Sequence, residues 1–441
     1  MLLVFNGRVV TRGENNRLIE NGCVAVDGWR IAAVGDAASL RAAHPNAETL
    51  DARGGLIMPG LINAHNHIYS AFARGLSLPG HSPKNFLEIL EGLWWKLDRC
   101  LTADDAYWSA MAVYIECIRN GCTTVFDHHA GYGGTRGSLF AIAKAAAELG
   151  VRSCLCYEVS DRNGETQARE AVAENAEFMR HAGDNPMLQG MTGLHASFTL
   201  SDKTLALCRE CTPADKGFHI HVAEGLDDVY DSLKQYGKRV VQRLFDQDIL
   251  GPNTIAGHCI HVNGLEMEML QQTATMVVHN PQSNMGNAVG IPPCMEMMRR
   301  GILLGLGTDG YTNDMLESEK AANCIHKHLL CDPNAAWAEV PKMLFENNAA
   351  MAGRRFGIKT GVLEPGAAAD IIVVDYHPHT PMTADNCDGH ILFGVSGRAV
   401  SSTIVNGVVR MKDREVVGID AQAVAAKCRE QAAALAARIH A

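Results

Sequence analysis

Eight short apolar runs recur along the middle of this chain, with stretches of helical periodicity between them. No other feature constrains the fold as strongly. The runs are 57–63, 123–127, 151–157, 189–195, 217–222, 254–258, 275–279 and 302–308, separated by helical stretches such as 139–149, 166–181 and 231–246. Strand and helix alternating in this way call for a parallel sheet covered by helices, and eight units in series call for its closure. An α/β fold is therefore predicted, a (β/α)8 TIM barrel. The length of 441 residues leaves room for an appended domain.

The two flanks have a different texture. Residues 1–54 carry strand cores at Leu2–Phe5, Cys23–Val26 and Ile31–Val34, with turns at Asn6-Gly7, Asn21-Gly22 and Asp27-Gly28. A similar patch returns at Ala369–Asp375 and at Val400–Arg410. The two ends are predicted to pair into one bipartite β-sandwich. Residues 1–54 form its N-terminal half, 55–366 the barrel, and 367–441 its C-terminal half with an alanine-rich helix from Asp420 to His440. The longest insertion, 68–101, follows the first strand and carries Pro79-Gly80 and Trp94-Trp95. It is either a cover for the site or a surface hairpin.

Charge and cysteine usage narrow the function. The formal net charge is −10, and no run of Lys and Arg offers a track for a nucleic-acid backbone. No apolar run approaches membrane-spanning length. The N-terminus lacks a basic segment and a cleavage site, so a cytoplasmic protein is expected. The 14 cysteines are scattered, and the single C-x-x-C at Cys208 and Cys211 has no second pair to make a zinc ribbon. They read as free, packed thiols.

Barrel enzymes place their chemistry at the C-terminal ends of the strands. Strand one ends in His65-Asn-His67, strand five in His221 with Glu224 three residues on, strand six in His258 and strand eight in Asp309. Strands two and four end in Asp127-His128-His129 and in His195. Residues i and i+2 of a strand share a face, so His65 and His67 converge. That pair alone is equally compatible with two core histidines. Imidazoles and a carboxylate at strands one, five, six and eight together make a ligand set for Zn²⁺ or Fe²⁺ with one position open for water. His128, His129 and His219 are open to packing roles. Gly305-Leu-Gly-Thr-Asp-Gly310 matches a dinucleotide fingerprint, but it sits late in the series and would set Asp309 against a pyrophosphate.

The motifs Pro59-Gly-Leu-Ile-Asn-Ala-His-Asn-His67, His219-Ile-His-Val-Ala-Glu224, Ala256-Gly-His258, His279-Asn-Pro-Gln-Ser-Asn284 and Gly307-Thr-Asp-Gly310 resemble the amidohydrolase superfamily. The resemblance is to its branch of aminohydrolases and chlorohydrolases acting on purine- and triazine-like rings. Leu93-Trp-Trp-Lys-Leu-Asp-Arg99 and Asp127-His-His-Ala130 resemble one aminohydrolase subgroup more closely still. The resemblance implies that His65, His67, His221 and Asp309 hold one divalent metal ion, Zn²⁺ first and Fe²⁺ second. Binuclear members carry a bridging lysine on strand four, and Gly190–His195 has none. It further implies Glu224 as the proton carrier, His258 polarising the reacting carbon's substituent, and His195 near the substrate.

The reaction so implied is attack of metal-bound hydroxide on an amidine-like carbon of a small nitrogen heterocycle, purine-like first, with loss of ammonia. The alternatives are a different leaving group at a similar carbon, chloride or alkylamine, or a metal-holding, non-catalytic subunit of a larger complex. The expected partners are that small heterocycle and further copies of the chain, as a dimer or higher homo-oligomer, with no nucleic acid and no membrane.

Overall fold

The computed structural model describes residues 1–440. Two nine-stranded sheets organise it. In the first, eight barrel strands follow one another in sequence order: Leu61–Asn66, Cys122–His129, Arg152–Val159, Thr192–Ala196, Phe218–Val222, Ile255–His258, Met276–His279 and Leu304–Leu306. All adjacent pairs are parallel. A short ninth strand, Leu188–Gly190, pairs with strand three just ahead of strand four. Strand eight meets strand one through two donors instead of a full ladder. The Thr308 and Asp309 amides both donate to the His65 carbonyl, at 3.0 and 2.9 Å. The barrel is thus nearly closed, and closure itself sets Asp309 beside His65.

The alternation of side chains separates two apolar layers. Ile62, Ala64, Phe126, Met276 and Val278 fill the barrel interior. Leu61, Val125, Val277, Leu304 and Leu306 face outward to the surrounding helices.

The second sheet is mixed and draws on both flanks of the chain. Its order runs Glu415–Val416, Val408–Lys412, Val400–Val405, Ile371–Val374, Leu56–Pro59, Leu2–Val10, Leu18–Asp27, Arg30–Asp36, with Glu48–Asp51 beside Leu2–Val10. One face encloses a core of its own, where Val4, Val24 and Ile57 meet Ile371, Val373 and Ile404. The other face, through Leu56, Met58, Ile372 and Val400, packs on the helices of the barrel. The sheet folds over far enough that Ile31 donates to the Ala367 carbonyl and Ala369 to that of Trp29.

The run predicted as one strand at 57–63 is two strands. Leu56–Pro59 pairs antiparallel with Ile371–Val374, whereas Leu61–Asn66 opens the barrel. The break falls at Gly60, where a Cβ would stand 2.3 Å from the Thr123 side chain. Only glycine lets the chain pass the barrel wall that closely.

A buried ion pair ties the two sheets together. Arg152, at the start of barrel strand three, contacts Asp370, and both side chains are fully buried. Asp370 also accepts from the Asn406 amide at 2.8 Å and from the Thr360 hydroxyl at 2.9 Å. Asp370→Ala strands a buried guanidinium and is expected to cost about 3–5 kcal/mol. Urea unfolding measures this, and a loss below about 1 kcal/mol, the range of a surface pair, would refute the seam's importance.

Candidate active site

His65 and His67 leave the end of barrel strand one side by side, His65 fully buried and His67 at 9 % exposure. The two imidazoles, His221 and Asp309 converge. His67 Nε2 lies 2.9 Å from Asp309 Oδ1 and 3.1 Å from His221 Nε2, and His65 Nε2 lies 3.6 Å from Asp309 Oδ1.

The far side of each ring explains this orientation. His67 Nδ1 donates to the His128 carbonyl at 2.6 Å, and His221 Nδ1 donates to the His195 carbonyl at 2.8 Å. A carbonyl accepts only, so each neutral ring keeps its proton on Nδ1 and a lone pair on Nε2. Two Nε2 lone pairs then face each other at 3.1 Å, beside a carboxylate. His65 Nδ1 is tied to His219 Nε2 at 2.7 Å, and His65 Nε2 is buried with no protein partner. Lone pairs aimed at one another in a buried place call for a cation between them, with the carbonyl bonds fixing each ring. The residues therefore fit a divalent ion.

Glu224, His258 and Asp309 form a second cluster that shares Asp309. His258 Nε2 is 3.5 Å from Glu224 Oε2 and 3.9 Å from Asp309 Oδ2. Burial pushes the Glu224 carboxyl up to about 7, with Asp309 adding to it and His258 opposing. Burial also raises Asp309, but the surrounding imidazoles, His67 first, outweigh it and hold that carboxyl well below its usual range. Ala223, His258 and Asp309, at three strand ends, all have left-handed backbone, with φ of +47°, +67° and +54°. None is glycine, so local strain is held in place by the surrounding contacts.

Polar contacts from one neighbouring turn position these groups. The Ser283 hydroxyl donates to Asp309 Oδ2, Asn284 Oδ1 accepts from His258 Nδ1 at 2.7 Å, and the Asn287 amide reaches Glu224 Oε1 at 3.5 Å. All three belong to the turn of helix Pro281–Gly286 and its cap. Sequence reasoning quoted His279–Asn284 as a motif but gave its members no role at the site. Asn66 and Thr308, joined at 2.9 Å beneath Asp309, were missed as well.

A cleft open to solvent lies above the cluster. Its roof is the inserted segment, which folds into consecutive helical turns at Phe86–Ile89, Leu90–Trp94 and Trp95–Cys100. Phe86, Leu90, Trp94 and Trp95 line the cleft from above. The segment covers the site and is not a surface hairpin. Glu158, Arg162 and Asp98 line the far wall. Arg162 reaches Asp98 at 2.9 Å and contacts Glu158, while its guanidinium stands 4.8 Å from the Trp95 ring. Of this charged wall only Asp98 stood in a motif quoted from the sequence, and it was given no role there.

His195 also lines the cleft, with its Nδ1 held by the Thr199 hydroxyl at 2.7 Å. His128 supplies the carbonyl under His67 and sends its own Nε2 to the Leu194 carbonyl at 3.0 Å. His129 is fully buried between Tyr69 and Tyr157, away from the cluster. The helix Ala421–His440 closes over the roof. Arg438 reaches the Cys100 carbonyl at 3.1 Å and contacts Asp105, and Leu435 is buried against Leu97 and Leu101.

Imidazoles and carboxylates gathered at the C-terminal rim of a parallel barrel, under a roofed cleft, define a class: barrel hydrolases that work with a bound metal. The sequence matches the Amidohydrolase family over residues 56–410, and the chain belongs to that family. Residues 22–47 match an imidazolonepropionase-like composite domain of bacteria.

Its relatives include a 5'-deoxyadenosine deaminase from Methanosarcina mazei, 31 % identical across all of this chain and 99 % of that one. A 5-methylthioadenosine/S-adenosylhomocysteine deaminase from Syntrophobacter fumaroxidans is also 31 % identical, over 97 % of each chain. Among solved structures, a zinc-bound adenosine deaminase from Xanthomonas campestris superposes with a TM-score of 0.87 at 23 % identity, covering 98 % of each chain. An atrazine chlorohydrolase from Arthrobacter aurescens, complexed with zinc, gives 0.80 at 24 % identity, over 98 % of this chain and 100 % of that one. These two likenesses speak for the fold. No helix among the described residues is long and apolar enough to cross a membrane.

Proposed function

We propose that this protein is a hydrolytic deaminase of a purine-like heterocycle, adenosine-derived nucleosides first, working with one zinc ion. The observation that carries the reading is the pair of Nε2 lone pairs of His67 and His221 facing each other at 3.1 Å beside Asp309. His65, His67, His221 and Asp309 would hold the ion. The adenosine-type names of full-length relatives at 31 % identity support the substrate class.

A bound divalent ion lowers the pKa of its water from ~16 toward ~7. The rest falls to the chain's own side chains. Glu224 accepts a proton from the attacking water through Oε2 and hands it to the departing amine, which leaves as ammonia instead of an anion. Asp309 keeps Oδ2, fixed by the Ser283 hydroxyl, turned toward the reacting carbon. His258 Nε2, 3.5 Å from Glu224, opposes the charge that builds as that carbon becomes tetrahedral. The aromatic roof stacks on the ring and excludes bulk water, and His195 lies along the substrate. The C–N bond breaks, a C–O bond forms, and ammonia departs.

Ammonia release from 5'-deoxyadenosine, 5'-methylthioadenosine, adenosine and guanine, set beside chloride or alkylamine release from chloro- and alkylamino-triazines, tests the reading. Release from the nucleosides is expected. Turnover of the triazines alone, or of nothing by the zinc-loaded protein, would overturn it. Zinc analysis should return one zinc ion per chain, and two zinc ions at full occupancy would refute the single-ion site. Assembly as a homo-oligomer, dimer or higher, belongs to the same reading and is measured by light scattering.

The pH dependence has a definite sign. Glu224 works as a base only when ionised, and burial pushes its carboxyl up to about 7. A bound cation pulls it back down. Acid protonates it, so kcat/KM is expected to fall on the acid side, at or below about pH 7, and an acid limb that persists in Glu224→Gln would assign that titration elsewhere.

A further inference from the structure

A second group of metal-type donors lies behind the barrel wall, apart from the cleft. His279 ends barrel strand seven on the same outward face as Val277. Cys294 begins the helix Cys294–Arg299, and His326 lies in the helix Met315–Leu330. One donor atom from each comes within 4.8 Å of the others. All three side chains are buried, at 1 %, 0 % and 1 % exposure.

Neither His279 Nε2 nor His326 Nε2 has a hydrogen-bond partner, although both are buried. Unpartnered buried polar atoms are costly and uncommon, and two of them within reach of one free thiol need a reason. Cys294 belongs to the apolar layer between the barrel wall and its helices.

We propose that His279, Cys294 and His326 form a second, buried metal site that takes a soft monovalent cation, Cu⁺. The donor set decides the ion. Thiolate with imidazole favours soft late-transition ions. The cluster contains no carboxylate. A divalent ion bound to one thiolate and two neutral imidazoles would leave a net positive charge in an apolar interior, whereas Cu⁺ on the same donors is neutral. Structural zinc also wants a fourth ligand, and the cluster has three donors. On binding, the Cys294 S–H bond breaks, an S–Cu bond forms, and the proton goes to solvent. No electron is transferred.

The site adjoins the active site through one residue. The Asn284 amide spans His258 Nδ1 at 2.7 Å and His279 Nδ1 at 3.4 Å. Ligation at His279 Nε2 puts that ring's proton on Nδ1, so the Asn284 amide must turn its oxygen to His279 and its nitrogen to His258.

The test uses the zinc-loaded protein under anaerobic conditions, with surface thiols blocked by N-ethylmaleimide and Cu⁺ supplied from a bicinchoninate complex. The wild type is expected to take one equivalent more than Cys294→Ser, with zinc content equal in both. X-ray absorption of the bound copper should show one sulfur and two nitrogen neighbours. His326→Gln, which keeps the thiol, should lose the same equivalent and guards against misfolding of the cysteine variant. Equal copper uptake by wild type and both variants, or displacement of Cu⁺ from this site by one equivalent of Zn²⁺, would overturn the proposal.

Discussion

Glu224→Gln is expected to leave metal content at one ion per chain and to cut turnover by about 10²–10⁴, the usual worth of a positioned acid–base group. The substitution keeps the side chain's size and its contact with Asn287, but removes the proton acceptor. Glu224 is tied to the metal cluster only through His258 and Asp309, so the donors His65, His67 and His221 keep their bonds to the His219 ring and to the His128 and His195 carbonyls. KM is expected to change far less than kcat, because the proton moves in the transition state and not on binding. If the variant lost its metal yet turned over normally once reloaded, Glu224 would be a supporting residue, and the proton role would pass to His258 or Asp309.

His221→Ala is the opposite case. It removes one of two lone pairs that face each other and leaves the His195 carbonyl without its imidazole donor. Loss of a merely outer partner typically costs 10–100-fold in affinity. Loss of a donor should exceed that, and dialysed protein is expected to retain well under one ion per chain and no measurable turnover. Excess zinc in the assay should restore little, because three remaining donors hold the ion too weakly to fix its orientation. Full metal content in dialysed His221→Ala would remove His221 from the donor set.

These groups were legible in the sequence for a physical reason. A barrel gathers its strand ends at one rim whatever lies between them, so polar groups closing apolar strands can be placed together before any contact is known. His65, His67, His221, His258 and Asp309, with Glu224 just past strand five, could be brought to one rim by that rule, which did not by itself separate them from His129, a packed neighbour of Tyr69 and Tyr157. The groups around them could not. Ser283, Asn284 and Asn287 reach the centre through one turn of helix, where each looks like an ordinary polar residue of a cap. Asp98 joins Glu158 and Arg162 only because the inserted segment folds back over strand three. The split at Gly60 was hidden because both halves of the run are apolar, each for a different sheet. His279 showed only as the first residue of a motif, since nothing local shows that Cys294 and His326 approach it from two other helices.

The seam at Gly60 also sets a timetable. Leu56–Pro59 pairs on one edge with Leu2–Val10, already made, but its other edge waits for Ile371–Val374, about 310 residues later, and His65 and His67 follow it directly. At the ~5–20 residues per second of ribosomal synthesis, the earlier strand waits roughly 15–60 s for its partner. During that interval the two histidines stand beside an unpaired apolar edge, ahead of the carboxylate at Asp309 that would complete their donor set. The four groups that would hold the ion are therefore all present only after residue 309 has emerged, late in synthesis.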